Sequence, residues 1–179
     1  MRKVITSVIL LLAITFQVCG QDNFDSLWTV WNDKSQSDTN RLNAIYVISW
    51  NQHLFSQPDS AFSLAQQHYD FAKAKGVKRQ MAKASATQGV SFYIRSNYAQ
   101  AVEYYHKSLA LYQEIVDKKG ESGILNNIGL VYKEQRDFDT ALEYYMKSYE
   151  IKKSMEDKWG LSSSYRKYLS RSIKIRGCN

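Results

Sequence analysis

Leu125-Asn126-Asn127-Ile128-Gly129-Leu130-Val131-Tyr132 is followed by the polar run Lys133-Glu134-Gln135-Arg136-Asp137 and then by Phe138-Asp139-Thr140-Ala141-Leu142-Glu143-Tyr144-Tyr145. Leu125, Ile128 and Tyr132 recur at three- and four-residue spacing, which places them on one face of a helix. Gly129 lies on the same helix and has no side chain, so a second helix can approach closely there. Ala141 is the small residue opposite. Asp137 stands where a helix N-cap is needed, immediately before the apolar pattern resumes. The stretch therefore predicts two antiparallel helices joined by a short polar turn.

A second copy lies 40 residues earlier. Ala101-Val102-Glu103-Tyr104-Tyr105-His106-Lys107-Ser108 repeats as Ala141-Leu142-Glu143-Tyr144-Tyr145-Met146-Lys147-Ser148. Gly89 pairs with Gly129, Phe92 with Tyr132, and Asp117-Lys118-Lys119-Gly120 with Asp157-Lys158-Trp159-Gly160. Ala61 falls one further period back, with Ala65 where Tyr105 and Tyr145 stand later. The pattern of large residue, Gly, Tyr, then Ala and an aromatic resembles the tetratricopeptide repeat, a helix–turn–helix unit of about 34 residues. The longer period predicts helices extended near the Asp-Lys-x-Gly sequence, read as a turn. Longer repeats of this type occur in kinesin light chains and in sensor regions of bacterial signalling proteins. The resemblance implies an all-α fold, a right-handed α-solenoid of helix pairs.

In chain order, residues 1–20 read as an export signal. Arg2 and Lys3 precede the apolar run Val4–Phe16, which is too short for a stable membrane span. Cleavage is expected after Gly20, leaving Gln21 first and no transmembrane span in the mature chain. Lipidation of Cys19 and an uncleaved anchor are the rival readings. Residues 21–39 read as an N-terminal helix, Asp22–Asp33, and a linker. Phe24, Leu27, Trp28 and Trp31 form its stripe, expected to cover the open end of the first repeat.

Residues 40–76 read as a degenerate helix pair, Asn40–Phe55 and Pro58–Lys75. There Ser49 replaces the glycine and Gln52 the aromatic. Pro58 suits a first helical turn, and Gly76 a stop. Residues 77–120 and 121–157 hold two further pairs, Val77–Arg95 with Asn97–Asp117, and Ser122–Glu134 with Asp137–Met155. Residues 158–179 read as an incomplete repeat or a capping helix, Leu161–Ile175, with a basic tail.

The net charge of +7 falls to about +5 without Arg2 and Lys3. The excess sits late, in Arg166, Lys167, Arg171, Lys174 and Arg176, and reads as a solvated helix end. Only two cysteines are present, Cys19 and Cys178, so no disulfide framework is expected. His53, His68 and His106 lack metal-ligand spacing. There is no phosphate loop, dinucleotide fingerprint or nucleophile elbow. The expectation is a protein with no catalytic residues, no metal and no cofactor.

In tetratricopeptide repeats the functional surface is the groove lined by the first helix of each pair. Carried onto this chain, the resemblance implies a groove of Tyr46, Trp50 and His53, then Val90 and Tyr93, then Asn126, Leu130 and Lys133. Such a groove is aromatic and apolar with a few polar groups, suited to a protein or peptide ligand and not to nucleic acid. Packing between helices is the competing role for Tyr46 and Trp50. Pro58-Asp59-Ser60-Ala61 and the two Asp-Lys sequences also resemble exported sensor regions of Bacteroidetes-type cyclases and histidine kinases. That implies an alternative, the truncated sensor portion of such a signalling protein.

Overall fold

The computed structural model describes residues 25–155. The segment read as an export signal, Cys19, and the helix expected over 161–175 lie outside the described residues. Those described form an all-helical α-solenoid. Helix α1 spans 25–32, α2 Asp38–Val47, α3 Pro58–Ala74, α4 Lys78–Ile94, α5 Tyr98–Glu114, α6 Lys118–Glu134 and α7 Phe138–Ser154. A π-helical turn, Ile48–His53, continues α2.

The 40-residue period now has a physical origin. Helices α4 to α7 are each 17 residues long. Three-residue connections separate them, and two helices with two connections complete one period. The middle residue of each connection from α3 onward has a left-handed backbone: Gly76 at φ 69°, Ser96 at 58°, Val116 at 55° and Arg136 at 64°. The bonding around each is that of a Schellman motif. At α5, for instance, Val116 N–H donates to Gln113 O at 3.0 Å and Asp117 N–H to Tyr112 O at 2.9 Å. The residue closing one helix then caps the next. Asn97, Asp117 and Asp137 each accept, through the side chain, a backbone N–H of the following helix.

Asp117 corrects the expected start of α6. The helix begins at Lys118, not Ser122, and Asp-Lys-x-Gly is its cap and first turn. Asp117 Oδ1 accepts from Gly120 N at 3.1 Å. Gly120 is glycine because the Tyr112 ring occupies the place of a Cβ.

Val116 is the costly member of the four connections. It is β-branched, and a left-handed conformation costs an L-residue about 1–2 kcal/mol. Its side chain is 71% exposed, so little packing offsets that cost. Glycine would remove the strain while losing less than 1 kcal/mol to unfolded-state entropy. Val116→Gly should therefore stabilise by up to about 1 kcal/mol. The denaturation midpoint should rise at unchanged slope; an unchanged or lower midpoint contradicts this backbone.

Helix α1 closes the N-terminal end. Leu27, Trp28 and Trp31 pack against Ile45, Ile48 and Leu64. The Trp31 ring meets Phe71 edge-on at 5.3 Å, and Arg41 lies 4.4 Å over Phe71 while donating to Trp31 O at 3.0 Å. The two tryptophans are thus half-buried and pack onto the core of the first pair. A larger cluster, including Tyr105, Leu109, Tyr112, Leu125, Ile128 and Val131, holds the later pairs together.

Close helix approach follows the glycines. A Cβ at Gly89 would lie 2.6 Å from the Tyr105 ring, and one at Gly129 2.8 Å from the Tyr145 ring. In the first pair Ser49 stands at the glycine position and Ala65 at the tyrosine position, both fully buried. A larger residue on one helix coincides with a smaller one on its partner.

Candidate functional site

Trp50, Val90 and Leu130 are 40 residues apart and hold one helical position in three successive pairs. Stacking of the pairs brings them together with Tyr93 around one cavity of about 240 Å³. These four belong to the groove expected from the sequence. All are half-buried, so their apolar surface is partly open. Asn127 contributes an amide from α6 and Phe55, 76% exposed, a ring from the connection after the π turn. Tyr105 and Ile94 complete the lining.

The other four expected residues lie around or away from this cavity. Tyr46 backs Trp50, ring centroids 6.1 Å apart, and burial raises its phenol pKa. Lys83 Nζ sits 4.8 Å over the Tyr46 ring. Asn126 is half-buried, one turn before Leu130 on α6. Lys133 is paired with Glu134 at 3.0 Å. Tyr93 feels that pair: burial raises its pKa most, Glu134 raises it further, and Lys133 opposes.

His53 faces elsewhere. It lines a separate cavity of about 420 Å³ with Trp28, Asp59, Ser63 and Leu64. By period His53 matches Tyr93 and Lys133. The π turn explains the difference: its i→i+5 bonding turns each residue through a smaller angle, so His53 falls short of the groove face.

Phe55, Ile94, Tyr105 and Asn127 are the lining residues the sequence reading missed. Asn127 adjoins a predicted residue, and helix phase alone could not choose between it and Asn126. Phe55 lies in a connection, where helical periodicity carries no information. Among the described residues no group of three or more His, Cys, Asp or Glu could hold a metal ion. No described helix is long and apolar enough to cross a membrane.

Comparison with known proteins bears on the fold. The chain is similar to BtubC (BKLC) from P. vanneervenii, whose crystal structure superposes with a TM-score of 0.67 at 15% identity. The match takes in 86% of this chain and 63% of that one, so the chain spans less than two thirds of its relative's length. A search of curated proteins finds no match. Residues 80–154 match the family described as Tetratricopeptide repeat. That region runs through α4–α7 and leaves out the first pair, where Ser49 and the π turn depart from the pattern. With two copies in register and the match spanning both, residues 80–154 are tetratricopeptide repeats.

Proposed function

We propose that this chain is a non-catalytic scaffold that binds a protein or peptide partner through the Trp50–Val90–Leu130 groove. Tetratricopeptide repeats generally mediate protein binding. The observation that carries the assignment to this groove is the convergence of one apolar side chain from each of three pairs on a single open cavity. An extended peptide could place an apolar side chain there, while the nearby Asn126 and Asn127 amides meet its backbone.

The test is selection of random displayed peptides on the full chain. Asn126→Ala should weaken capture by about 1 kcal/mol, since one neutral hydrogen bond exchanges with water. Lys107→Ala should have no effect. Lys107 lies on α5, paired with Glu103 at 2.7 Å and set over the Tyr104 ring. Loss of capture in Lys107→Ala with full capture in Asn126→Ala would move the partner to the opposite surface.

We further propose export with cleavage after Gly20, on the strength of Arg2, Lys3 and the apolar run Val4–Phe16. Mass spectrometry should find a mature chain starting at Gln21. Intact Met1 on a cytoplasmic protein contradicts this, and acylated Cys19 would make it membrane-anchored. The sensor of a cyclase or histidine-kinase signalling protein is the second reading, favoured by Pro58-Asp59-Ser60-Ala61 and the Asp-Lys sequences. A membrane helix and catalytic domain encoded just downstream would establish it.

A further inference from the structure

The groove crosses a boundary between two differently built halves. Helices α1–α3 enclose one apolar cluster, centred on Ile45, Ile48 and Leu64. Helices α4–α7 are bound through another, around Tyr105, Tyr112 and Ile128. The seam between α3 and α4 is crossed by several polar bonds. Gln88 Nε2 donates to Gln66 Oε1 at 2.8 Å, Ser91 Oγ donates to Pro58 O at 2.7 Å, and Arg95 pairs with Asp59. Its aromatic part is Phe62, whose ring meets Phe92 at 5.2 Å and Tyr104 at 5.6 Å.

His68 lies at the centre of this seam and is fully buried. One period later Ser108 occupies the same position and donates to Ala82 O at 2.8 Å. One period after that, Ser148 donates to Ser122 O at 2.7 Å. Those serines bond within their own pair. His68 instead reaches the next pair: its Nε2 lies 3.1 Å from Gln80 Oε1, and Gln80 Nε2 donates to Asn43 Oδ1 at 3.0 Å. The chain Asn43–Gln80–His68 joins α2, α4 and α3. Because the Gln80 nitrogen is engaged by Asn43, its oxygen accepts, and His68 Nε2 carries the proton. His68 Nδ1 is then a buried acceptor with no partner.

A second proton would add a charge and an unpaired N–H in a site closed to water. The titratable groups facing His68 give no relief. They are the Tyr46 phenol from α2, rings 6.0 Å apart, and the Lys83 ammonium from α4, whose charge opposes protonation. The π turn has no carboxylate, and Asp38, the one carboxylate of α2, is paired with Lys75 at 3.0 Å. Burial pushes the His68 pKa down from 6.5 to about 4; the Gln80 hydrogen bond opposes that fall in part, and Lys83 adds to it.

We propose that the α3–α4 seam is an acid-sensitive hinge, in which protonation of His68 releases α1–α3 from α4–α7 and draws Trp50 away from Val90 and Leu130. The seam opens here because its polar bonds can be exchanged for bonds to water, whereas the apolar clusters on either side cannot be hydrated so cheaply. The opened form binds a proton near pH 6.5 and the closed form only near pH 4, so the closed seam is fully stable above 6.5 and loses stability as pH falls toward 4. Between pH 7 and 5 opening should become about 20-fold more favourable. The effect on partner binding rests on the groove reading above; the hinge does not.

The experiment is amide hydrogen exchange on the full chain without any partner, at pH 7 and pH 5, corrected for intrinsic exchange. Protection in α2 and α3 should fall about 20-fold more than in α6 and α7. His68→Gln should abolish that difference, and His68→Ser, the residue of the later pairs, serves if the glutamine variant does not fold. Equal loss in both halves of the wild type overturns the hinge. So does a selective loss that survives in the folded His68 variant. Exchange reads the hinge alone and peptide capture at pH 7 reads the groove alone, so either can fail without the other.

Discussion

Gly129→Leu should destabilise the chain by about 3 kcal/mol, at the upper end for overpacking. A Cβ at this position would lie 2.8 Å from the Tyr145 ring and 3.2 Å from Ala141 O. The ring could rotate, but the carbonyl belongs to the backbone of α7 and moves only with the helix. Leucine is also the better helix former, worth nearly 1 kcal/mol against glycine in a helix interior. The expected sign therefore depends entirely on the steric contact. Thermal and denaturant unfolding of the purified variant decide it. A stability at or above wild type would mean that α6 and α7 do not touch here.

Tyr105→Ala should cost about 4 kcal/mol, in the range of large aromatic truncations. The Tyr105 side chain is 2% exposed, and burial raises its hydroxyl pKa. The more informative result is its coupling to Gly89. In the wild type Gly89→Ser should destabilise, because the new Cβ would stand 2.6 Å from the Tyr105 ring. In the Tyr105→Ala background the same change should stabilise, since serine then partly fills the space and improves helix propensity. The first pair already carries this combination, in Ser49 and Ala65. A coupling of at least about 1 kcal/mol is expected from the double-mutant cycle. Simple additivity would show that the two positions do not share a volume.

These contacts were legible because they are periodic. The 40-residue offset between Ala101 and Ala141 places every helix pair, and glycine opposite tyrosine follows from volume alone. Gly120 was not legible in the same way. A glycine after Asp-Lys reads equally as a turn or as a first helical turn, and only the Tyr112 ring beside it decides. The π turn at Ile48–His53 carries no local signal, and it moved His53 out of the expected groove. His68 was invisible as a seam residue, since its partner Gln80 lies 12 residues away and Gln80's own partner Asn43 lies 37 residues from Gln80. The groove was half legible: the 50–90–130 ladder follows from period, whereas Phe55 depends on the path of a connection.

Trp50 is the central anchor of the proposed groove. Peptides selected on the wild-type chain should bind the Trp50→Ala variant more weakly by about 2 kcal/mol or more, as expected for a buried aromatic anchor. The variant's melting curve must first match a folded solenoid, because Trp50 also packs against Tyr46. Titration calorimetry at pH 7 with one selected peptide then gives the result. A loss of roughly thirtyfold or more in affinity, in a variant that remains folded, supports the groove. Unchanged affinity in the folded variant contradicts it.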